Sequence, residues 1–167
     1  MNHEQPPDWG LIVERHAERV FRIAYRILGS VHDAEDVSQT VFTEVFRIHS
    51  AGTVQTWTGL IVRLATVRSI DFARRKRHTT VLEEQDCVSH IGPPEHAIAT
   101  ELAAWLRSAA TQLPEQQAAI FSLTYFEQMN RDEVAAVLGV SPESVSTALC
   151  KARQRLLSQI TVVQGEV

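Results

Sequence analysis

The chain has 167 residues, 44% of them hydrophobic and 22% charged, with a formal net charge of −4. Mixed charges exclude wholesale disorder, and no apolar run approaches the roughly 18–20 residues of a membrane span. The length suits one ordinary domain or two small ones. Charge is unevenly placed: residues 1–77 hold 11 Lys/Arg against 9 Asp/Glu, 78–94 hold three acids and no Lys/Arg, and 95–167 hold 5 against 8. The dense cationic cluster is Arg74-Arg75-Lys76-Arg77. Such a cluster matters more to a phosphate than net charge does, because salt screens the field over about 10 Å at 0.1 M.

Helical periodicity runs through nearly the whole chain. Met1 to Gly10 is polar and lacks a cationic signal-peptide start, so a cytoplasmic location is expected. A first helix is predicted from Asp8 or Trp9 to Leu28, with Val13, Ala17, Val20, Ala24 and Leu28 on one apolar stripe and Gly29 ending it. A second helix follows, with Asp33 as N-cap or first-turn acid, to about Phe46. Its buried line is Ala34, Val37, Val41 and Val45, and Asp33, Asp36, Thr40 and Glu44 are expected on a solvent-facing flank. A third is predicted from about Val54 to Arg77, packing through Trp57, Ile61 and Leu64. Along it Arg63 and Arg74 are eleven residues apart, about 20° in phase, and Thr66 and Arg77 repeat the relation, giving a partly cationic strip suited to a nucleic-acid backbone. Trp9, Trp57 and Trp105 read as packing residues.

Residues 78–94, with Glu83-Glu84 and Pro93-Pro94, read as a flexible acidic linker. Helical periodicity resumes from Pro94 or Glu95 to Ala110 through Leu102, Trp105, Leu106 and Ala109. A further helix opens at Leu113-Pro114-Glu115 and ends near Phe126. Two shorter helices follow, Asn130 to Leu138 and Ser141 to Leu157, divided by Gly139-Val140. The fold class is therefore all-α, three helices and then four.

The last two helices carry a signature. Asn130 with Asp132 and Glu133 forms an N-cap with an acidic first turn. Ala135 is small where two helices cross, Gly139 sits at a turn that favours positive φ, and Val145 drops an apolar side chain onto the first helix. Ser141-Pro142-Glu143 opens the second helix. These are helix-turn-helix spacings, which place the N-terminal residues of the second helix in a major groove and Lys151, Arg153 and Arg155 near phosphates. The histidines are scattered, with isolated surface positions expected, and none pairs in a nucleophile or metal pattern. No Gly-rich phosphate loop occurs, and Cys87 and Cys150 lack ligand spacing and are expected reduced. Neither an enzyme nor a cofactor or metal requirement is expected.

Asp33-Ala34-Glu35-Asp36-Val37-Ser38-Gln39-Thr40-Val41-Phe42 resembles the hallmark segment of the extracytoplasmic-function (ECF) sigma factors of the sigma-70 class. Ile70-Asp71-Phe72-Ala73-Arg74-Arg75 resembles the end of their promoter-melting helix. Leu113-Pro114-Glu115-Gln116-Gln117 with the helix-turn-helix resembles their −35-reading domain. The resemblance spans about residues 11–77 and 95–157. It implies a σ2-like domain at 1–77, a linker at 78–94 and a σ4-like domain at 95–167. It further implies docking on core RNA polymerase, at the clamp helices of the largest subunit and the flap, through Asp33, Glu35, Asp36 and Gln39. Contact with the −10 element is implied for Arg63, Thr66, Val67, Arg68, Arg74, Arg75 and Arg77. Contact with the −35 element is implied for Ser141, Glu143, Ser144, Ser146, Thr147, Lys151, Arg153 and Arg155. An anti-sigma factor is the expected regulatory partner.

The chain departs from the family pattern at Leu60, where Trp is usual, and at Val67, where Asn is usual. It departs again at Ser146-Thr147-Ala148, where a basic, polar, basic run is common, and in the acidic balance of its second domain. An atypical promoter is therefore expected. The same losses motivate an alternative, a sigma mimic that sequesters an anti-sigma factor without reading DNA. A third reading is a helix-turn-helix regulator that never touches polymerase.

Overall fold

A computed structural model describes residues 8–51, 56–80 and 97–164. Every secondary-structure element among them is a helix: α1 (Trp9–Leu28), α2 (Val31–Ala51), α3 (Trp57–Thr80), α4 (Ala97–Ala110), α5 (Glu115–Tyr125), α6 (Arg131–Leu138) and α7 (Pro142–Gln164). The interior of the predicted linker lies outside the described residues, as do Cys87, His90 and His96. His78, Thr79 and Thr80 belong to the last turn of α3.

The ends of α1 follow from local chemistry. Asp8 Oδ1 accepts from the Leu11 N–H at 3.1 Å, and Gly29, at φ 69°, donates its N–H to the Tyr25 carbonyl at 2.8 Å. The buried line of α1 is His16, Val20, Ile23, Ala24 and Ile27. It shares Val20 and Ala24 with the predicted stripe but not Val13, which is exposed. The stripe is turned toward the bulkier isoleucines because α1 packs against α5 as well as α2 and α3. In α2, Ser30 Oγ accepts from the Asp33 N–H at 3.3 Å, and the helix continues to Ala51, past the predicted end at Phe46. Ala34, Val37, Val41 and Val45 are all buried, as their spacing predicts. Trp9, Phe46, His49 and Trp57 stack where α1 begins, α2 ends and α3 begins, with Trp9–Phe46 ring centroids 4.9 Å apart.

The central element is α5. Six consecutive residues, Ala118 to Leu123, are buried, so the helix is covered all round rather than on one stripe. Ala119, Ile120 and Leu123 join the core formed with Val20, Ile23, Ala24 and Ile27 of α1. Ala118 and Phe121 face a second core with Ala109, Ala110, Leu113, Ala152 and Leu156. The lobe of α1–α3 and the lobe of α4–α7 are thus packed on each other through α5. Full burial of Ile120 and Leu123 contributes about 1.5–3 kcal/mol each.

Candidate nucleic-acid interface

On α2 the structure separates four acidic or amide positions that the sequence groups together. Glu35, Asp36 and Gln39 are exposed. Asp33 is buried, which corrects its predicted place on the solvent flank. It lies four and eight residues before Val37 and Val41, so it shares their buried ridge. Its Oδ2 accepts from Lys76 Nζ of α3 at 2.6 Å. Glu44 is likewise drawn inward. Arg68 Nε donates to Glu44 Oε2 at 2.6 Å, Arg68 Nη2 donates to Oε1, and Arg68 Nη1 donates to Asp71 Oδ2 at 3.2 Å. The hydrogen bond from Arg68 holds the Glu44 carboxyl below its ordinary range against the opposing effect of burial, with help from the charges of Arg68 and Arg47. The same bond raises Arg68. Asp36, Gln39, Thr40, Thr43, Glu44, Arg47 and Arg68 border a shallow groove between α2 and α3.

The cationic strip on α3 is only partly as predicted. Arg63, Arg74, Arg75 and Arg77 are exposed and Val67 is half-buried. Thr66 is fully buried, and its hydroxyl donates to the Val62 carbonyl at 2.8 Å, so it belongs to the core and not to the strip. The Thr66–Arg77 phase relation holds, but α3 is enclosed by its neighbours at Thr66 and exposed at Arg77. The C-terminal end of α3 meets α5. Arg77 Nη2 pairs with Glu115 Oε2, and Arg74 Nε lies 3.7 Å from Glu115 Oε1.

The helix-turn-helix forms as its spacing predicts. Asn130 Oδ1 accepts from the N–H groups of Asp132 and Glu133, each at 3.0 Å, and Glu133 Oε2 accepts from the Asn130 N–H at 2.7 Å. Gly139 turns the chain at φ 65°. Ser141 Oγ accepts from the Ser144 N–H at 3.2 Å and caps α7. Val134, Ala135 and Val145 close the angle between the helices. Glu143, Ser144, Ser146 and Thr147 are exposed on the first turns of α7, and Lys151, Arg153 and Arg155 farther along. A helix 10–12 Å across fits a major groove about 12 Å wide. Three of these groups are already engaged, Ser144 through its hydroxyl 3.0 Å from Ser141 Oγ. The Ser146 hydroxyl donates to the Pro142 carbonyl at 3.2 Å, and Arg153 Nε donates to Tyr125 Oη at 2.6 Å.

Two carboxylates outside the expected polymerase and DNA contacts join the lobes. Glu115 holds Arg74 and Arg77. Glu127, whose side chain is 8% exposed, accepts from Arg19 Nε at 2.7 Å and Arg26 Nη1 at 3.2 Å, and the Arg26 guanidinium lies 4.1 Å over the Phe126 ring. Burial pushes the Arg26 pKa down, and the charge and hydrogen bond of Glu127 oppose it. Their partners lie tens of residues away in sequence, so no local spacing signals them. His16 is also buried, correcting its expected surface position. Burial first, then Arg19 and Arg15, push its pKa down. Among the described residues no group of three or more His, Cys, Asp or Glu side chains could hold a metal ion, and no helix is long and apolar enough to cross a membrane.

Comparison with known proteins identifies the same two regions. Sigma-70 region 2 matches residues 12–79 and sigma-70 region 4 matches residues 103–156. The ECF RNA polymerase sigma factor SigE of Mycolicibacterium smegmatis is 34% identical over 155 residues, which is 90% of this chain and 60% of SigE, so the chain spans about three-fifths of that relative's length. The ECF RNA polymerase sigma factor SigW of Bacillus subtilis is 24% identical over 162 residues, covering 89% of this chain and 87% of SigW. The fold matches the sigma factor RpoE of Bartonella quintana, solved with the anti-sigma factor NepR, at a TM-score of 0.71 and 16% identity over 93% of this chain and 98% of RpoE. It also matches CnrH, solved with the cytosolic domain of CnrY, at a TM-score of 0.63 and 20% identity over 92% of this chain and 88% of CnrH.

Proposed function

This chain belongs to the sigma-70 family, in its ECF branch, and from that membership we infer that it binds core RNA polymerase and directs promoter recognition and transcription initiation. The observation that carries the reading is the presence, in one chain and in the family's order, of an exposed acidic α2 face beside the cationic end of α3 and a capped helix-turn-helix. Glu35, Asp36 and Gln39 form the polymerase-docking face, where carboxylates steer approach to a basic partner surface. Asp33 supports that face from within by holding Lys76.

Residues 1–77 act on the −10 element. Arg63, Arg74, Arg75 and Arg77 supply phosphate contacts, and Val67 supplies an apolar contact where an amide would read a base edge. Opening the duplex costs a few kcal/mol per unstacked step, which polymerase binding and captured bases offset. Residues 95–167 act at −35 through Glu143, Ser144, Ser146 and Thr147 on base edges and Lys151, Arg153 and Arg155 on phosphates. The role is one of binding rather than catalysis, in the cytoplasm, and an anti-sigma factor is the regulatory partner, as NepR is for RpoE of Bartonella quintana. Purified protein with core polymerase should start transcripts at defined positions on genomic fragments. Asp36→Lys should abolish both that activity and co-elution with polymerase. Failure of the wild type to start any transcript would refute the reading.

A further inference from the structure

The cations of α7 are Lys151, Arg153 and Arg155. Two residues of an α-helix turn through about 200°, so Lys151 and Arg155 leave α7 on one side and Arg153 leaves it on the other. Ala152, between Lys151 and Arg153, is fully buried, so the core lies behind the helix and the cations stand on its two flanks. A recognition helix in a major groove runs between two phosphate ridges, and each flank faces one of them. Among the described residues, Arg153 is the one cation that α7 supplies to its flank.

Arg153 does not have to find its own rotamer. Its Nε donates to Tyr125 Oη at 2.6 Å, and the guanidinium carbon lies 5.6 Å from the Tyr125 ring centroid, within range of cation–π attraction. Tyr125 is the last residue of α5, and its ring rests on buried Phe121 with centroids 4.6 Å apart. The ring is thus anchored at its base while the residue stays 43% exposed. The bond to Tyr125 uses Nε alone and leaves both Arg153 Nη groups as donors. Because Tyr125 Oη accepts from Arg153, its own proton must turn to another acceptor. The pair therefore offers solvent a forked cationic donor and a phenol donor side by side. An anion with two free oxygens matches that set, and a phosphodiester is such an anion.

As a device for stability the contact is poor. An exposed hydrogen bond contributes little net, and immobilising an arginine forfeits rotamer freedom of comparable size. A ligand that meets the guanidinium already ordered binds without that loss. We propose that Tyr125 and Arg153 form a phosphate clamp on one flank of the recognition helix: Tyr125 orients Arg153 through Nε and donates its own O–H to the phosphodiester that the Arg153 Nη groups hold. The identity of the ligand rests on the sigma-factor reading. Tyr125 adds a DNA-binding residue from α5, outside the helix-turn-helix, and ties the reach of α7 to a helix whose residues from Ala118 to Leu123 are buried.

The test uses the full chain and a short mixed-sequence duplex followed by fluorescence anisotropy across a salt series, since phosphate contacts do not depend on base sequence. Tyr125→Phe keeps the ring and the Arg153 charge, and it should weaken binding about three- to tenfold with little change in the slope of log affinity against log salt. Arg153→Gln should flatten that slope by about 0.9. In the Arg153→Gln background Tyr125→Phe should cost less than about twofold, because the two side chains act as one unit. Arg153→Lys keeps the charge without the fork, so it should retain the slope and lose affinity as Tyr125→Phe does. A contact that only staples α7 to α5 would instead move the urea midpoint and leave DNA affinity unchanged. Wild-type affinity in Tyr125→Phe, additive losses in the double variant, an unchanged slope in Arg153→Gln, or no duplex binding by the wild type at low salt would each overturn the clamp. The sigma-factor reading is judged separately, by whether the wild type starts transcripts with core polymerase.

Discussion

Replacing Gly29 with Ala should cost more stability than replacing Gly139 with Ala, although both glycines end helices at nearly the same φ, 69° and 65°. An L-residue in the left-handed region costs about 1–2 kcal/mol. Loss of glycine's freedom in the unfolded chain offsets about 0.4–1 kcal/mol of that. At Gly139 an added Cβ meets nothing within 4 Å, so the net loss there should be about 1 kcal/mol. At Gly29 the same atom would lie 3.2 Å from Thr111 Cβ in the other lobe, a backbone-anchored carbon rather than a flexible tip. Overpacking of that kind adds about 1–3 kcal/mol, bringing Gly29→Ala to about 2–4 kcal/mol. Urea unfolding measures both losses, with the m-value expected to stay unchanged. Thr111→Gly removes the opposing carbon, so in a double-mutant cycle it should recover most of the excess at Gly29 and none at Gly139. Equal losses at the two glycines, or a cycle coupling below about 0.5 kcal/mol, would show that the α1–α2 turn does not press on the second lobe.

Glu127→Gln should destabilise the protein by about 2–3 kcal/mol in urea titrations. Breaking a buried pair costs about 3–5 kcal/mol, and Arg19, a third exposed, is partly screened; a loss under about 1 kcal/mol would place the pair effectively at the surface. Asn130→Ala removes the cap that serves two N–H groups of α6 and should cost about 1 kcal/mol, seen as faster amide exchange in α6; unchanged exchange would count against the capping box. His16 titrates below its ordinary 6.5 in the folded state, so the unfolded chain takes up that proton first. Its stabilising contribution is complete above pH 6.5 and is lost as pH falls through the depressed folded value. The urea midpoint should therefore drop between pH 7.5 and 5.5 in the wild type and less in His16→Gln, and parallel drops would exclude His16 as the source. The low Glu44 and Glu115 values place their own losses at more acidic pH, in the carboxylate range.

Much of the site scaffold was legible because it is built from short-range chemistry. The Asn130–Glu133 capping box, the positive φ of Gly139 and the burial of Ala135 and Val145 all follow from contacts within one helix-turn-helix. The α2 core line was equally clear, since a four-residue period survives whatever packs against it. Errors arose where periodicity gives an angle but not its surroundings. Thr66 and Arg77 share a phase on α3, yet one is fully buried and the other is exposed beside Glu115, because a period fixes an angle and not what packs at each level of the helix. Asp33 lies on the Val37–Val41 ridge, although its polarity by itself points to solvent. The local pattern ends α2 near Phe46, whereas the aromatic cluster at the far end of the helix draws on Trp9 and Trp57 from two other elements.

Helix content, the order of two helical lobes and the exposed acidic face of α2 were written in the amino-acid sequence, because capping, turn chemistry and amphipathic period act over a few residues. The docking of the lobes through an all-round buried α5, and the meeting of Glu115 with Arg74 and Arg77 and of Glu127 with Arg19 and Arg26, required the folded chain. Those pairings join residues far apart in sequence, and their strength depends on burial, which exists only once both cores have closed around the same helix.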